Sequence, residues 1–325
     1  MRQRATYLGK IGGFFFGDMC DRIIEAEIYL GRAEERAMTQ FQRLFCMEWK
    51  KAVHNRFFPC AIAFGSLFAM MSALHEINAY RLAQKQLQEL GGDPMVQAYT
   101  LYNHWIGGET QSFGSTLFYM LIPILAVLPY GWSYCTEKRS GYTNMIMTRS
   151  GKGSYLLAKT IAAFLSGGVS VILPLIGNFL LIACFVPAVK PSILYHTFYS
   201  SPHGSMWSWI FYQCPVLFVI FYLLLDFLFA GLFAVTAMAF SVWVKNPVVV
   251  ILLPFLMTLV LQLGHIFLHD HFYKEISPLY FLHAACVQNF TDARIILSEA
   301  AGMLLFSLIV LGKEGSISGK WSSTL

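Results

Sequence analysis

The residues best suited to chemistry form a short basic segment, residues 135–159, between two apolar stretches. This segment holds five of the chain's 23 Lys and Arg residues. Short loops rich in Lys and Arg concentrate on the cytoplasmic side of a membrane, where a soluble protein can bind them. Gly151-Lys152-Gly153 does not fit the Gly-x-x-x-x-Gly-Lys-[Ser/Thr] loop that binds nucleotide phosphates. If ATP drives this protein, we expect another chain to bind the nucleotide.

A single carboxylate, Asp226, lies deep inside an apolar segment. A charge at the centre of a bilayer costs about 2.5–3.5 kcal/mol on insertion scales, so Asp226 should face other helices or water rather than lipid. Two interpretations stay open for it: a functional intramembrane group, or a hydrogen-bonded contact between helices. Glu299 lies only four residues inside another apolar segment, from which it can reach the interface.

Histidines at helical spacing, His265, His269 and His271 with Asp270, form the one cluster that resembles a metal site. The cluster falls at the end of an apolar segment, where polar residues meet water. We therefore interpret it as interfacial histidines and predict neither a metal site nor a cofactor. The seven cysteines include no Cys-x-x-Cys pair and are expected to act as small apolar residues.

The composition indicates a membrane protein. Hydrophobic residues make up 56% of the chain and charged residues 13%, against about 25% charged residues in a typical soluble domain. The basic residues are not gathered on a soluble domain, so nucleic-acid binding is not expected.

Six apolar stretches approach or exceed the roughly 20 residues that a spanning helix needs. They are residues 57–74, 113–134, 155–186, 209–244, 248–268 and 295–311. We therefore predict an all-α, polytopic membrane protein with six transmembrane helices. The apolar stretch 276–290 is too short to span and predicts short re-entrant or outer helices between the fifth and sixth spans.

The distribution of Lys and Arg predicts the orientation. With the N-terminus inside, 18 of these residues fall on inner segments and five on outer segments. We therefore expect a multi-pass protein of the cell membrane with both termini cytoplasmic. The predicted domains are a cytoplasmic N-terminal segment (1–56), a six-helix transmembrane domain (57–312) and a cytoplasmic tail (313–325).

Residues 40–56 have the pattern of an amphipathic helix lying flat in the inner interface. Apolar residues recur at spacings of three and four, and basic residues occupy the other positions. The apolar set is Phe41, Leu44, Phe45 and Trp49, and the basic set is Arg43, Lys50 and Lys51. An ordinary cytoplasmic extension of the first span is the alternative.

Three sequence features together resemble ABC-2 type transporter permeases. The first is a polar end to the second span with Glu137 and Gly141, then Arg149, then Tyr155-Leu-Leu-Ala-Lys159 opening the third span. The second is the inner turn 241–255, and the third is Ser277-Pro278 in an outer segment. The likeness covers roughly residues 40–312.

This resemblance implies a permease subunit that pairs with a second permease, identical or different, and with ATP-binding subunits. The 136–155 loop would then form a coupling helix that contacts the ATPase. The residues implied in that contact are Glu137, Lys138, Arg139, Gly141 and Arg149. The chain would not be an enzyme itself, and it would export a peptide, an antibiotic or a lipid-like amphipathic cargo across its lipid bilayer.

Three other functions stay open. The first is an ion- or proton-coupled secondary transporter that uses Asp226, although no inverted repeat is evident. The second is an intramembrane metalloenzyme built on the His265 cluster. The third is a non-transporting membrane sensor or immunity protein, which would share all of these sequence features.

Overall fold

The computed structural model describes residues 40–90, 99–196, 198–201, 205–264, 276–285 and 292–321. Throughout these ranges the regular structure is helical, without a strand, which confirms the prediction of an all-α fold. The helices are α1 (40–53), α2 (Phe57–Leu90), α3 (Leu101–His104), α4 (Phe113–Val127), α5 (Ser133–Arg139), α6 (Tyr142–Ser150), α7 (Lys152–Ala183), α8 (Ser208–Gln213), α9 (Pro215–Phe240), α10 (Pro247–Leu263), α11 (Pro278–Phe281) and α12 (Ala293–Trp321).

Four of these helices are long and apolar enough to cross a membrane. Their apolar segments are Phe57–Glu89 of α2, Lys152–Ala183 of α7, Pro215–Phe240 of α9 and Ala293–Glu314 of α12. α4 and α10 are apolar but shorter, with 15 and 17 residues. The chain is thus a membrane-type helical protein, and the count of six spans stays a prediction.

α2 is longer than the sequence predicted. The predicted first span ends at residue 74. Instead one helix of 34 residues continues from Phe57 to Leu90. Residues 75–90 contain no Gly or Pro, so nothing local interrupts the backbone hydrogen bonds.

The predicted fourth span, 209–244, is divided into α8 and α9. The break falls at Cys214, whose φ of −135° and ψ of 75° lie outside the helical region. Pro215 then opens α9. Proline disfavours a helical conformation in the residue before it but suits the first position of a new helix, which explains both observations.

Small residues allow the central helices to approach closely. A Cβ atom on Gly167 of α7 would lie 2.8 Å from the Ala126 carbonyl oxygen and 2.8 Å from the Ala234 Cβ atom. A Cβ atom on Gly231 of α9 would lie 2.5 Å from the Phe164 ring. The small residues of α9 therefore pack inside the bundle.

One end of the bundle carries α1, α5 and α6, and we call it the α1 end. There the Asn55 side chain donates to the Pro129 carbonyl oxygen at 3.1 Å, and α5 meets the α9–α10 turn. At the opposite end, which we call the α3 end, the backbone N–H of Ala285 donates to the Gly107 carbonyl oxygen at 2.9 Å. Hydrogen bonds between segments that are distant in the chain thus hold both ends of the helix bundle together.

The segment between α10 and α12 contains the short helix α11, whose Phe281 is fully buried. Residues 1–39, the predicted histidine cluster at 265–271 and the end of the predicted re-entrant stretch lie outside the described residues. α12 continues to Trp321, so the predicted tail 313–325 begins within this helix.

Candidate functional site

The basic segment predicted to contact a partner forms two short helices with a glycine at each bend. Gly141 separates α5 from α6, and Gly151 separates α6 from α7. Both have a φ of 75°, in the left-handed region that favours glycine. A Cβ atom on either would meet nothing within 4 Å, so the dihedral angle and not crowding requires glycine. We call residues 133–151 the α5–α6 elbow.

Glu137, predicted to lie in a partner contact, points mainly into the protein. Its side chain is 17% exposed. The carboxylate accepts hydrogen bonds from the Lys159 ammonium at 2.8 Å and from the Tyr155 hydroxyl. The Lys51 ammonium of α1 lies 3.3 Å away. Glu137 therefore holds the elbow against α7 and α1.

Glu137 belongs to a larger set of hydrogen-bonded polar side chains at the α1 end, which we call the ion network. Its members are Glu48, Lys51, Tyr130, Glu137, Tyr142, Tyr155 and Lys159. They come from α1, the α4–α5 turn, α5, α6 and α7. The two carboxylates and two ammonium groups balance in charge, which lowers the cost of burying them together.

The most deeply buried pair of the network is Glu48 and Lys159. Both side chains are 0% exposed, and the ammonium lies 3.0 Å from the carboxylate. The Lys159 ammonium also donates to the Tyr130 hydroxyl at 3.1 Å, and Tyr130 in turn donates to Glu48. Every member therefore has a charged or polar partner, as a buried network needs in order to be stable.

Lys51 forms the exposed edge of the network, with 31% of its side chain accessible. It donates to Glu48 at 2.9 Å and to the Tyr142 hydroxyl at 3.0 Å. Burial alone would lower the pKa of Lys51, but its hydrogen bonds to Glu48 and Tyr142 raise that pKa above its ordinary value. Lys51 is therefore charged at neutral pH and bridges α1 to α6.

Opposing effects act on the pKa of Glu48. Burial raises it, whereas the charge of Lys159 and hydrogen bonds from Lys51 and Tyr130 lower it. The second group of effects is larger in sum, and the pKa of Glu48 lies below its ordinary value. The buried carboxyl is thus ionised at neutral pH, and the network consists of charged groups.

Two further predicted site residues, Lys138 and Arg139, lie on the exposed side of the elbow. Lys138 pairs with Glu314 of α12 at 2.6 Å and donates to the Val242 carbonyl oxygen at 3.2 Å. Together with Lys245 of the α9–α10 turn, these two residues line a cavity of about 380 Å³. The sequence pattern did not associate Lys245 with the elbow. Three cationic side chains thus surround one concave surface at the α1 end.

The last residue implied in the contact, Arg149, lies in α6, two positions before Gly151. The structure therefore brings the five predicted residues onto one continuous elbow. These residues differ in exposure. Glu137 binds the buried Lys159, whereas Lys138 and Arg139 lie on the exposed side.

Asp226 lies in the middle of α9 and is 0% exposed, so it faces other helices, as predicted. Neither of its carboxyl oxygens has a hydrogen-bond partner within 3.5 Å and in suitable geometry among the described residues. The side chains of Tyr119 and Tyr222 interact with the carboxyl group. The sequence could not identify these neighbours.

A series of polar groups continues from Asp226 toward the α3 end. The Tyr119 ring stacks on the imidazole of His283, with centroids 4.3 Å apart. The His283 Nε2 atom lies 3.2 Å from the Ser115 hydroxyl, and that hydroxyl contacts the carbonyl oxygen of Glu109 at 3.1 Å. Polar groups thus lead from the buried carboxyl to the end of the bundle.

Two more buried carboxylates lie at the α3 end, Glu76 in α2 and Glu109 in the loop between α3 and α4. Glu109 accepts hydrogen bonds from the Ser72 hydroxyl at 2.8 Å and from the Ser112 backbone N–H at 2.9 Å. Glu76 pairs with His104. These contacts fasten the loop after α2 to the bundle.

Neither Glu48 nor Lys159 was among the residues predicted from the sequence to form a site. A signal for Glu48 existed, because Leu44, Glu48 and Ala52 recur every four residues and form the buried face of α1. A carboxylate on such a face requires a cationic partner. Lys159 was noted only as part of the basic segment.

Within the described ranges, His, Cys, Asp and Glu residues form no group of three that could hold a metal ion. The fold and the helix composition define the class as an all-helical, membrane-type protein. No protein-family model matches the sequence, and no significant match was found among curated proteins.

Proposed function

We propose that this protein is the permease subunit of an ATP-driven ABC transporter. In this proposal it crosses the cell membrane six times, and both termini are cytoplasmic. A separate ATPase binds the α5–α6 elbow, and the permease pairs with a second copy or a related permease. Hydrolysis of ATP takes place in the partner, and the cargo is an amphipathic peptide, antibiotic or lipid-like molecule.

The observation that carries this proposal is the attachment of the elbow to the bundle. Glu137 of the elbow binds Lys159 of α7 at 2.8 Å and Lys51 of α1 at 3.3 Å. A soluble motor can drive a membrane bundle only through contacts that differ between two states. A force applied to the elbow would reach α7 through short ionic contacts, which suits a coupling element.

Charge reversal of basic residues in the elbow tests the proposal. The tagged full-length protein is purified from its native membranes and should carry a stoichiometric ABC ATPase. Arg139→Glu and Arg149→Glu should lower the amount of co-purified ATPase by at least about tenfold, because like charges at an interface cost several kcal/mol. Lys85→Glu, an exposed reversal at the α3 end, is the control. Unchanged co-purification and ATPase activity in both elbow variants would refute the proposal.

The buried carboxyl of Asp226 favours a second candidate, a proton-coupled secondary transporter. Its support is the series of polar groups from Asp226 through Tyr119 and His283 to Ser115. Purified protein in liposomes, without an ATPase, would then transport cargo along a pH gradient, and Asp226→Asn would abolish that transport. Gradient-driven transport that survives in Asp226→Asn would exclude this role for the carboxyl.

A further inference from the structure

A cavity of about 380 Å³ lies between α9, α10 and α12, separate from the ion network. α12 contributes Glu299, Gly302, Met303 and Phe306 to its wall, at the three- and four-residue spacing of one helix face. Pro278 of α11 also lines it. The volume lies within the range of small-molecule sites, roughly 300–1,000 Å³.

Glu299 is the acidic residue of an otherwise apolar wall. The two threonine hydroxyls in the lining are already engaged, because Thr236 donates to the Leu232 carbonyl oxygen at 2.7 Å and Thr258 donates to that of Phe255 at 2.8 Å. The Oε2 atom of Glu299 is buried and has no hydrogen-bond partner among the described residues. The lining contains no Lys, Arg or His. Among the described residues, no cationic side chain lines the cavity beside this carboxyl.

The rest of the cavity suits a hydrophobic body. Phe240 and Phe306, both in the lining, lie with ring centroids 5.6 Å apart. Glu299 and Phe306 are seven residues apart on α12, which places them about 10 Å apart along the helix axis. The cavity thus has a carboxyl toward one end and aromatic rings toward the other.

We propose that this cavity binds an amphipathic organic cation. Its charged centre lies beside Glu299, and its apolar body extends toward Phe306 and Phe240. A carboxylate in apolar surroundings is costly without a counter-charge, and such a ligand supplies one. The binding of this cation does not depend on the proposed transport function. The further step, that the cation is the transported cargo, rests on that function.

Two probes of the same shape and opposite charge test the charge requirement. Tetraphenylphosphonium and tetraphenylborate are titrated onto the purified full-length protein in detergent, without nucleotide or ATPase. We expect saturable binding of the phosphonium and at least about tenfold weaker binding of the borate, a difference of about 1.4 kcal/mol. Equal saturable binding of both ions, or no saturable binding of the phosphonium, would overturn the proposal.

Paired variants locate the site. Glu299→Gln should weaken phosphonium binding at least about tenfold, whereas Glu89→Gln, which removes an exposed carboxylate of α2, should not. Gly302→Leu should also block binding, because a Cβ atom there meets nothing within 4 Å and the side chain can occupy the cavity. Gly312→Leu, equally unobstructed on the same helix but outside the cavity lining, is its control.

Phosphonium affinity that is unchanged in both Glu299→Gln and Gly302→Leu would also overturn the proposal. Such a result would favour a neutral acyl chain or a helix of a second copy as the occupant of the cavity. The assay needs no partner protein, so its failure leaves the ATPase proposal standing. Conversely, failure to find an ATPase leaves the binding result standing.

Discussion

The ammonium of Lys159 and the carboxylate of Glu48 lie 3.0 Å apart, and both side chains are fully buried. The pair connects α1 to α7 across 111 positions of sequence. Glu137 of the elbow binds the same ammonium at 2.8 Å. Lys159 therefore joins three helices, α1, α5 and α7. A displacement of the elbow relative to α7 must stretch or break one of its ionic contacts.

Replacement of Lys159 should destabilise the protein strongly. Lys159→Met leaves Glu48 and Glu137 short of a counter-charge in a buried site, and removal of one member of a buried ion pair costs about 3–5 kcal/mol. Thermal unfolding in detergent, followed by tryptophan fluorescence, should show a large decrease in Tm. Lys190→Met, at an exposed position, should leave Tm unchanged. Adding Glu48→Gln to Lys159→Met should restore part of the loss, and a further additive loss would contradict the pairing.

Stability should depend on pH in a direction set by Glu48. The folded-state pKa of Glu48 lies below its ordinary value of 4.5, so its contribution is complete above about pH 4.5 and is lost as the pH falls through the folded-state pKa. The pKa of Lys51 lies above its ordinary value of 10.5, so that contribution is lost only in strong base. The Tm measured from pH 3 to pH 7 should fall on the acid side, by less in Glu48→Gln than in the native protein. Parallel profiles for the two proteins would disprove this assignment.

The two bends of the elbow should not tolerate a side chain. Gly141→Ala forces an L-residue to a φ of 75°, at a cost of about 1–2 kcal/mol. Gly153→Ala, at the start of α7, has open space and an ordinary helical position. It should be neutral or stabilise the protein by about 0.5–1 kcal/mol. Opposite signs in the two Tm shifts are the expected result, and equal shifts would argue against the requirement for a left-handed residue at the elbow.

Close packing of α7 should depend on Gly167. In Gly167→Ala the new methyl group would lie 2.8 Å from the Ala126 carbonyl oxygen and from the Ala234 Cβ atom. Because both neighbours belong to packed helices, we expect a loss of about 1–3 kcal/mol. Gly177→Ala, in the same helix with open space around it, is the matched control. The comparison of Tm and folded yield for the two variants measures how tightly the bundle is packed.

Local sequence patterns were sufficient for several features. Long apolar stretches predicted the helical class, because that pattern depends on the side chains within one helix. The burial of Asp226 followed from the cost of exposing a charge to lipid. The break before Pro215 has a local cause as well, although the sequence analysis did not use it.

The ion network could not be predicted in the same way. Its charges come from distant segments, and Glu137 was expected in a partner contact rather than against Lys159. Likewise, the length of α2 was underestimated, because hydropathy marks where the apolar face ends and not where the helix ends.

By itself, the order of residues determined which segments are helices and which faces are apolar, since backbone hydrogen bonding and side-chain spacing act over a few positions. Only the tertiary structure decided which buried charges meet. Glu48 and Lys159 are ordinary residues in their own helices. Their pairing arises because the packing of α1 on α7 excludes water around both, and each charge then needs the other.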